Sequence, residues 1–243
     1  MKSVFITGVS RGFGQAMARK FLAEGYQVYG CSRTPPDMLH HPSFHWGAVD
    51  MSRLEPLTAE LEALFTQWRC DTFDLVVLNA GMFGPSPRKA SDISLGEFQT
   101  VLNVNLIANK IILDLLLSRF SIKQCLFCAS IAGVRLRAGT LAYGVSKAAL
   151  NAMAQVYASE NPQSFFAVLG LCNMQTDLLK NALDGPHVRD FPEICALRDR
   201  ATMEGYVTPA TQRAEQVWDL FDGGLHKYLV SGQFKEIRTL TDQ

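Results

Sequence analysis

The chain has 243 residues, 23 Lys and Arg against 23 Asp and Glu, and its basic residues are scattered along the whole length. That balance excludes a nucleic-acid footprint and a basic membrane-binding face, and it favours small, neutral or weakly charged partners. The length suffices to bury a sizeable core, in one large α/β unit or in two small ones, and the order of the elements decides between them.

The N-terminal stretch MKSVFITG enters a β-branched run directly, with no long apolar segment ahead of a small-residue cleavage site, so no signal peptide is expected. No apolar run is read as reaching membrane-spanning length. Short apolar runs then alternate with helical patterns. The runs are SVFIT from residue 3, QVYGCS from 27, FHWGAV from 44, FDLVVLN from 73, QCLFCA from 124, FFAVLGL from 165 and KYLV from 227. Helices are predicted over Gly14–Glu24, Leu54–Trp68, Leu95–Phe120, Leu141–Ser159 and Thr211–Phe221. Strands this apolar are covered on both faces, which predicts a doubly wound α/β fold: a mostly parallel, seven-stranded sheet with helices on either side. No linker, repeat or low-complexity segment divides the chain, so residues 1–243 are expected to form a single domain.

After the first strand comes TGVSRGFG, Thr7 to Gly14, at the start of the first helix. Glycines allow a tight turn and let backbone N–H groups approach a pyrophosphate, which the positive end of the helix favours. The spacing G-x-x-x-G-x-G differs from the commonest dinucleotide fingerprint, and by itself the turn also suits a plain strand-to-helix connection. Six cysteines lack framework spacing and mostly lie in apolar runs, as reduced thiols of a cytoplasmic protein would. Cys125 and Cys128 form the one C-x-x-C, but in a strand an offset of three points them to opposite faces, so packing thiols are expected there and no metal site.

The stretch LAYGVSKAAL, Leu141 to Leu150, places Tyr143 and Lys147 four positions apart on one helical face among small apolar residues. A cation there is costly unless something compensates its desolvation. TGVSRGFG, the NAG of Asn79–Gly81 and YGVSK of Tyr143–Lys147, in this order, resemble the short-chain dehydrogenase/reductase family over nearly the whole chain. The layout is similar to its carbonyl-reductase and sepiapterin-reductase-like members. The resemblance implies a Rossmann-type fold and a catalytic tetrad in which Tyr143 is the acid/base, Lys147 its partner, Ser130 the substrate-holding serine and Asn105 the helix asparagine that holds a relay water. Asn103 competes for the last role, although Leu106 after Asn105 fits the family pattern. A free phenol has a pKa of about 10, so a cation beside Tyr143 is expected to favour its ionised form.

The same resemblance implies a nicotinamide dinucleotide held by Gly8, Ser10, Arg11, Gly12, Phe13 and Gly14 of the turn, by Asn79, Ala80 and Gly81, by Tyr143 and Lys147, and by Met174 and Thr176. Asp50 resembles the family's adenine contact. An NAD-specific member carries an acid at the end of the second strand, where this chain has Arg33; Arg33 with Arg11 therefore implies NADP(H), unless both are solvated surface charges. The family's Pro-Gly after the sixth strand is replaced by Leu171 and Cys172, which puts the local loop path in question because cysteine takes positive φ less readily than glycine.

Residues 173–206 mix helix and loop where relatives form a substrate lid, and Arg135 with Arg137 in GVRLRAG is expected to rim the pocket, either to attract anions or as solvated charges. The segment Asn105–Phe120 is apolar around more of its circumference than one sheet contact requires, which suggests a homodimer or homotetramer. Two functional readings remain: an NADP(H)-dependent enzyme interconverting a carbonyl and an alcohol, or a non-catalytic dinucleotide-binding sensor on the same fold.

Overall fold

The computed structural model describes residues 2–68 and 70–241. The first half of the chain builds one wing of a sheet. Strand β1 (Ser3–Thr7) leads through the glycine turn into helix α1 (Gly12–Ala23), followed by β2 (Gln27–Ser32), β3 (Phe44–Ala48) and α2 (Leu54–Gln67). The short β4 (Thr72–Phe73) precedes β5 (Leu75–Leu78), and then come α3 (Leu95–Leu102), a π turn at Asn103–Ile107 and α4 (Ala108–Arg119). The second half carries β6 (Ser121–Ile122), β7 (Gln124–Ala129), α5 (Leu141–Glu160) and β8 (Phe165–Gly170). It ends with α6 (Asp177–Leu183), α7 (Pro192–Ala201), α8 (Ala210–Gly223), β9 (Phe234–Glu236) and α9 (Arg238–Thr241).

The main sheet has seven parallel strands in the order β3-β2-β1-β5-β7-β8-β9, while β4 and β6 pair separately. Successive strands step outward from β1 to β3, and the chain then returns to place β5 on the other side of β1. Connections leaving β1 and β5 therefore diverge to opposite sides and open a crevice at the carboxyl ends of these strands. Both faces are covered, which is why β1 is buried at every residue. Val4 and Ile6 meet α1 and α8 through Met17, Phe21, Trp218 and Phe221. Phe5, pointing the other way, joins Leu57, Leu61, Ile112 and Phe166. Burying side chains of this size contributes about 1.5–3 kcal/mol each, so these two layers are what hold the carboxyl ends of the strands in place. Cys125 and Cys128 fall in opposite layers, as their offset requires.

Three expectations need correction. The segment KYLV is not a strand. Leu225–Lys227 forms a 3-10 turn, and Leu229 alone turns inward, with Tyr228 44% and Val230 60% exposed. The seventh strand is β9, an edge strand paired to β8 through Val168 and Phe234, and its polar residues Lys235 and Glu236 hide it from an apolar search. The long helix is interrupted by the π turn, which no apolar periodicity marks. Leu95–Arg119 is also, by length and composition alone, long and apolar enough to cross a membrane, at 25 residues and mean hydropathy 1.5. Interspersed Glu97, Lys110 and Asp114 mask this in the sequence, and in the structure Ile112, Leu113 and Leu116 are fully buried in the layer under the sheet.

Candidate active site

Thr7 closes β1 with its side chain turned toward β5. Its Oγ1 accepts the N–H groups of Asn79 and Ala80, each at 2.9 Å, and Asn79 Nδ2 donates back to Thr7 O at 2.8 Å and Gly8 O at 3.3 Å. The glycine turn and the NAG segment are thereby locked together. A Cβ on Gly14 would lie 2.2 Å from Gly8 O and 2.4 Å from Asn79 Nδ2, so no side chain is possible there. Gly8 and Gly12 take φ of 75° and 59°. Arg11 stands at the N-cap of α1 without a side-chain cap, leaving the first-turn N–H groups facing out of the helix end. Ser10 lies in the turn and its carbonyl accepts from Gln15 Nε2 at 3.2 Å. The ring of Phe13 is buried in the core, so Phe13 offers this site only its backbone.

Arg33 is exposed directly after β2, and Asp50 follows β3. Burial pushes the Asp50 carboxyl up, but the bonds from Ser52 N at 3.0 Å and Ser52 Oγ at 2.7 Å, with Arg33 and Arg53 nearby, outweigh it and hold the group below its ordinary value. Arg11 forms an ion pair with Asp177 at 3.1 Å, so it reaches across to the start of α6. Thr176 caps that helix through Leu179 N at 3.4 Å, and its methyl lies 3.5 Å from where a Gly12 Cβ would be. Met174 bridges to Thr208 beside it. The structure thus brings Thr176 to the glycine turn, with Met174 two residues before it. Cys172 takes φ of 60°, the one non-glycine positive φ among the described residues, so the loop keeps the conformation that glycine would give it. Its Sγ donates weakly to Gly170 O at 3.6 Å, and burial raises the thiol pKa, which marks a packing residue.

Ser130 ends β7 and caps the following 3-10 turn, its Oγ accepting from Ala132 N at 3.1 Å. Tyr143 and Lys147 project from α5 toward it. Burial raises the Tyr143 phenol above its ordinary value, and the hydrogen bond with Ser130 opposes that rise. Lys147 is 5% exposed, donates to Cys128 O at 2.8 Å and lies 5.8 Å from the centre of the Tyr143 ring. Burial lowers its pKa to about 8. The expectation that Lys147 lowers the phenol pKa is not met in this arrangement, because the ammonium faces the ring and is held by Cys128 O while Ser130 acts on the hydroxyl.

Asn105, not Asn103, is fully buried in the π turn, with Oδ1 accepting from Met82 N and Nδ2 donating to Met82 O, both at 2.8 Å. A Cβ on Gly81 would lie 3.3 Å from Asn105 Oδ1 and 3.8 Å from Lys147 Nζ, so the two side chains face each other across that glycine. The ring of Phe83, just after Met82, packs on Tyr143 with centroids 5.2 Å apart. With Pro85, Ile93 and Leu141 these rings line a narrow cleft. The two loop arginines are not brought to it: Arg137 lines a neighbouring cavity of about 310 Å³ with Lys89, Leu136, Val145 and Phe191, and Arg135 lines neither. Thr7, Phe83, Ser146 and Asp177 complete the site and escape the sequence reading, although Thr7 and Ser146 stand inside the quoted motifs.

The family model described as short chain dehydrogenase matches residues 2–184. The chain belongs to the short-chain dehydrogenase/reductase family. A benzil reductase, (S)-benzoin forming, of Bacillus subtilis is 32% identical over 166 residues, covering 66% of this chain and 68% of the relative. A second benzil reductase of the same description, from Saccharomyces cerevisiae, is 31% identical over 236 residues, covering 89% and 82%. The solved KRED1-Pglu enzyme shares the fold with a TM-score of 0.80 at 21% identity, over 97% of this chain and all of the other. As a short-chain dehydrogenase/reductase the protein is an oxidoreductase of small molecules, in a family that uses nicotinamide dinucleotides. The residues fit such a cofactor. The paired positive-φ glycines and Gly14 leave room for close backbone approach. Lys147 has one hydrogen bond among the described residues, which leaves two of the three ammonium donors available in a buried site.

Proposed function

We propose that the protein is an NADP(H)-dependent reductase that interconverts a ketone or aldehyde and the corresponding alcohol, with Tyr143 as proton donor and acceptor. The observation that carries this reading is the convergence of Ser130, Tyr143, Lys147 and Asn105 beside the glycine turn, from separate segments of the chain. Ser130 binds the substrate oxygen and, with the phenol, fixes the carbonyl in the cleft. Tyr143 gives that oxygen a proton in reduction and takes it back in oxidation. Bound nicotinamide supplies or accepts the hydride at the substrate carbon. Lys147 holds the nicotinamide ribose with its free donors and, once the ammonium is so placed, favours the ionised phenol. Asn105 anchors the relay through which the proton is replaced. Arg33 and Arg11, with no acid at the end of β2, favour a 2′-phosphate on the adenosine ribose.

For the substrate, Phe83, Ile93 and Leu141 give the approach to Tyr143 an apolar wall, which favours an apolar ketone, and the two relatives described above are named for benzil, a diaryl diketone. Residues 173–206 serve as the lid of the single domain: Leu183, Val188, Phe191 and Ile194 pack together, and Phe191 lies 3.0 Å from where a Gly139 Cβ would be. All six cysteines are free, which suits a reducing cytoplasm. The test follows NADPH absorbance with a panel of aryl and alkyl ketones and aldehydes. Carbonyl-dependent oxidation of NADPH, faster than with NADH, is expected. No turnover across the panel, with NADPH still bound, would favour the sensor.

A further inference from the structure

A buried hydroxyl joins the segments that build the site. Ser146 lies between Tyr143 and Lys147 on α5 and is fully buried. Its Oγ donates to Tyr143 O at 2.8 Å and accepts from Asn105 Nδ2 at 2.9 Å. The other two hydrogen bonds of the Asn105 amide go to the backbone of Met82, and the Asn105 backbone carbonyl accepts from Asn109 Nδ2 at 2.8 Å. Ser146 thus hydrogen-bonds the π turn to the tyrosine-bearing helix through side chains.

We propose that Ser146 is a positioning residue for the reaction, setting the π turn against α5 so that Asn105 and Lys147 meet across Gly81. With an apolar side chain at this position one proton of the fully buried Asn105 amide loses its acceptor, which is costly. Turning the amide does not relieve it, because donor and acceptor would then both be wrong for Met82. Met82 precedes Phe83, and Phe83 packs on Tyr143, so loss of the hydroxyl reaches the phenol from both the helix and the cleft wall. This inference rests on the proposed role of Tyr143.

The test compares Ser146→Ala, Asn105→Ala and the double variant with the parent, on one active ketone, with NADPH affinity measured separately by fluorescence. Ser146→Ala is expected to keep its far-UV circular dichroism and its NADPH affinity while kcat falls about ten-fold, the effect of one lost hydrogen bond. In the Asn105→Ala background the same change is expected to lower kcat no further, since the hydroxyl acts through the amide. A parent-like kcat in Ser146→Ala, or an equal loss with and without Asn105, overturns the proposal. Should Ser146→Ala fail to fold, Ser146→Cys takes its place: reduced kcat with unchanged NADPH affinity is expected, and the parent kcat overturns the proposal. Failure of the underlying reading shows separately, as full activity in Tyr143→Phe.

Discussion

The Lys147 ammonium stands 5.8 Å from the centre of the Tyr143 ring and gives its hydrogen bond to Cys128 O. Among the described residues it has no acidic partner, and burial brings its pKa from 10.5 to about 8. Between these values the unfolded chain holds a proton that the folded chain does not, so stability contributed by this group rises with pH. Lys147→Met should therefore stabilise the protein without cofactor at pH 7, by on the order of 2 kcal/mol, and the gap to the parent should narrow between pH 8 and pH 10. Urea unfolding of both proteins across that range measures it. A gap that widens with pH contradicts the assignment.

Cys172 tests strain in the loop beside the cofactor site. A non-glycine residue at φ of 60° costs roughly 1 kcal/mol or more, and the sulfur gains only long contacts to Gly170 O and Glu236 Oε1. Cys172→Gly should raise the melting temperature by about 2–4 °C. A fall instead would show that the sulfur's packing outweighs the backbone cost.

Cofactor choice turns on two arginines with different present partners. Arg33 lies exposed at the surface near Asp50, whereas Arg11 is engaged by Asp177 at 3.1 Å. Arg33→Asp should narrow or reverse a preference for NADPH over NADH. Asp177→Asn releases Arg11 and, because an exposed pair is weak, should tighten NADPH at most about five-fold and leave NADH unchanged. Equal dissociation constants for the two cofactors in the parent, by fluorescence titration, would refute the NADP(H) reading.

How much of this is legible in the sequence depends on which physical signal each residue carries. Both faces of the main sheet are covered, so its strands β1, β2, β3, β5, β7 and β8 declare themselves by apolar runs, whereas the two-residue pair β4 and β6 does not; the glycine turn and YGVSK declare the site by side chains with few other uses. β9 lies at an edge and follows its one apolar residue, Phe234, with Lys235 and Glu236, so no apolar run betrays it. The π turn arises from the tertiary bonds of Asn105 to Met82 and Ser146, which no local pattern encodes. The same holds for Arg137: its loop position is plain from the sequence, but the side of α5 it serves is not. Lys147 stands out in the sequence as a costly cation, while its hold on a backbone carbonyl depends on a strand 19 residues away.

Assembly gives a further prediction. Leu141, Val145 and Val156 lie exposed on the outer side of α5, and Ile107 at the π turn is exposed next to the long helix expected to pair. A second copy covering this face would bury them. Light scattering at micromolar concentration should give a dimer or tetramer mass, and Val145→Glu should lower it. A monomeric parent would contradict this.

The most direct test of the account is the reduction rate of Tyr143→Phe on one active ketone, with NADPH affinity measured alongside. The substitution keeps the ring that packs against Phe83 and removes only the hydroxyl that Ser130 holds. The account predicts that folding and NADPH binding persist while kcat falls about 10²–10⁴-fold, the usual contribution of general acid catalysis. A variant that binds NADPH and reduces the ketone at the parent rate would contradict it.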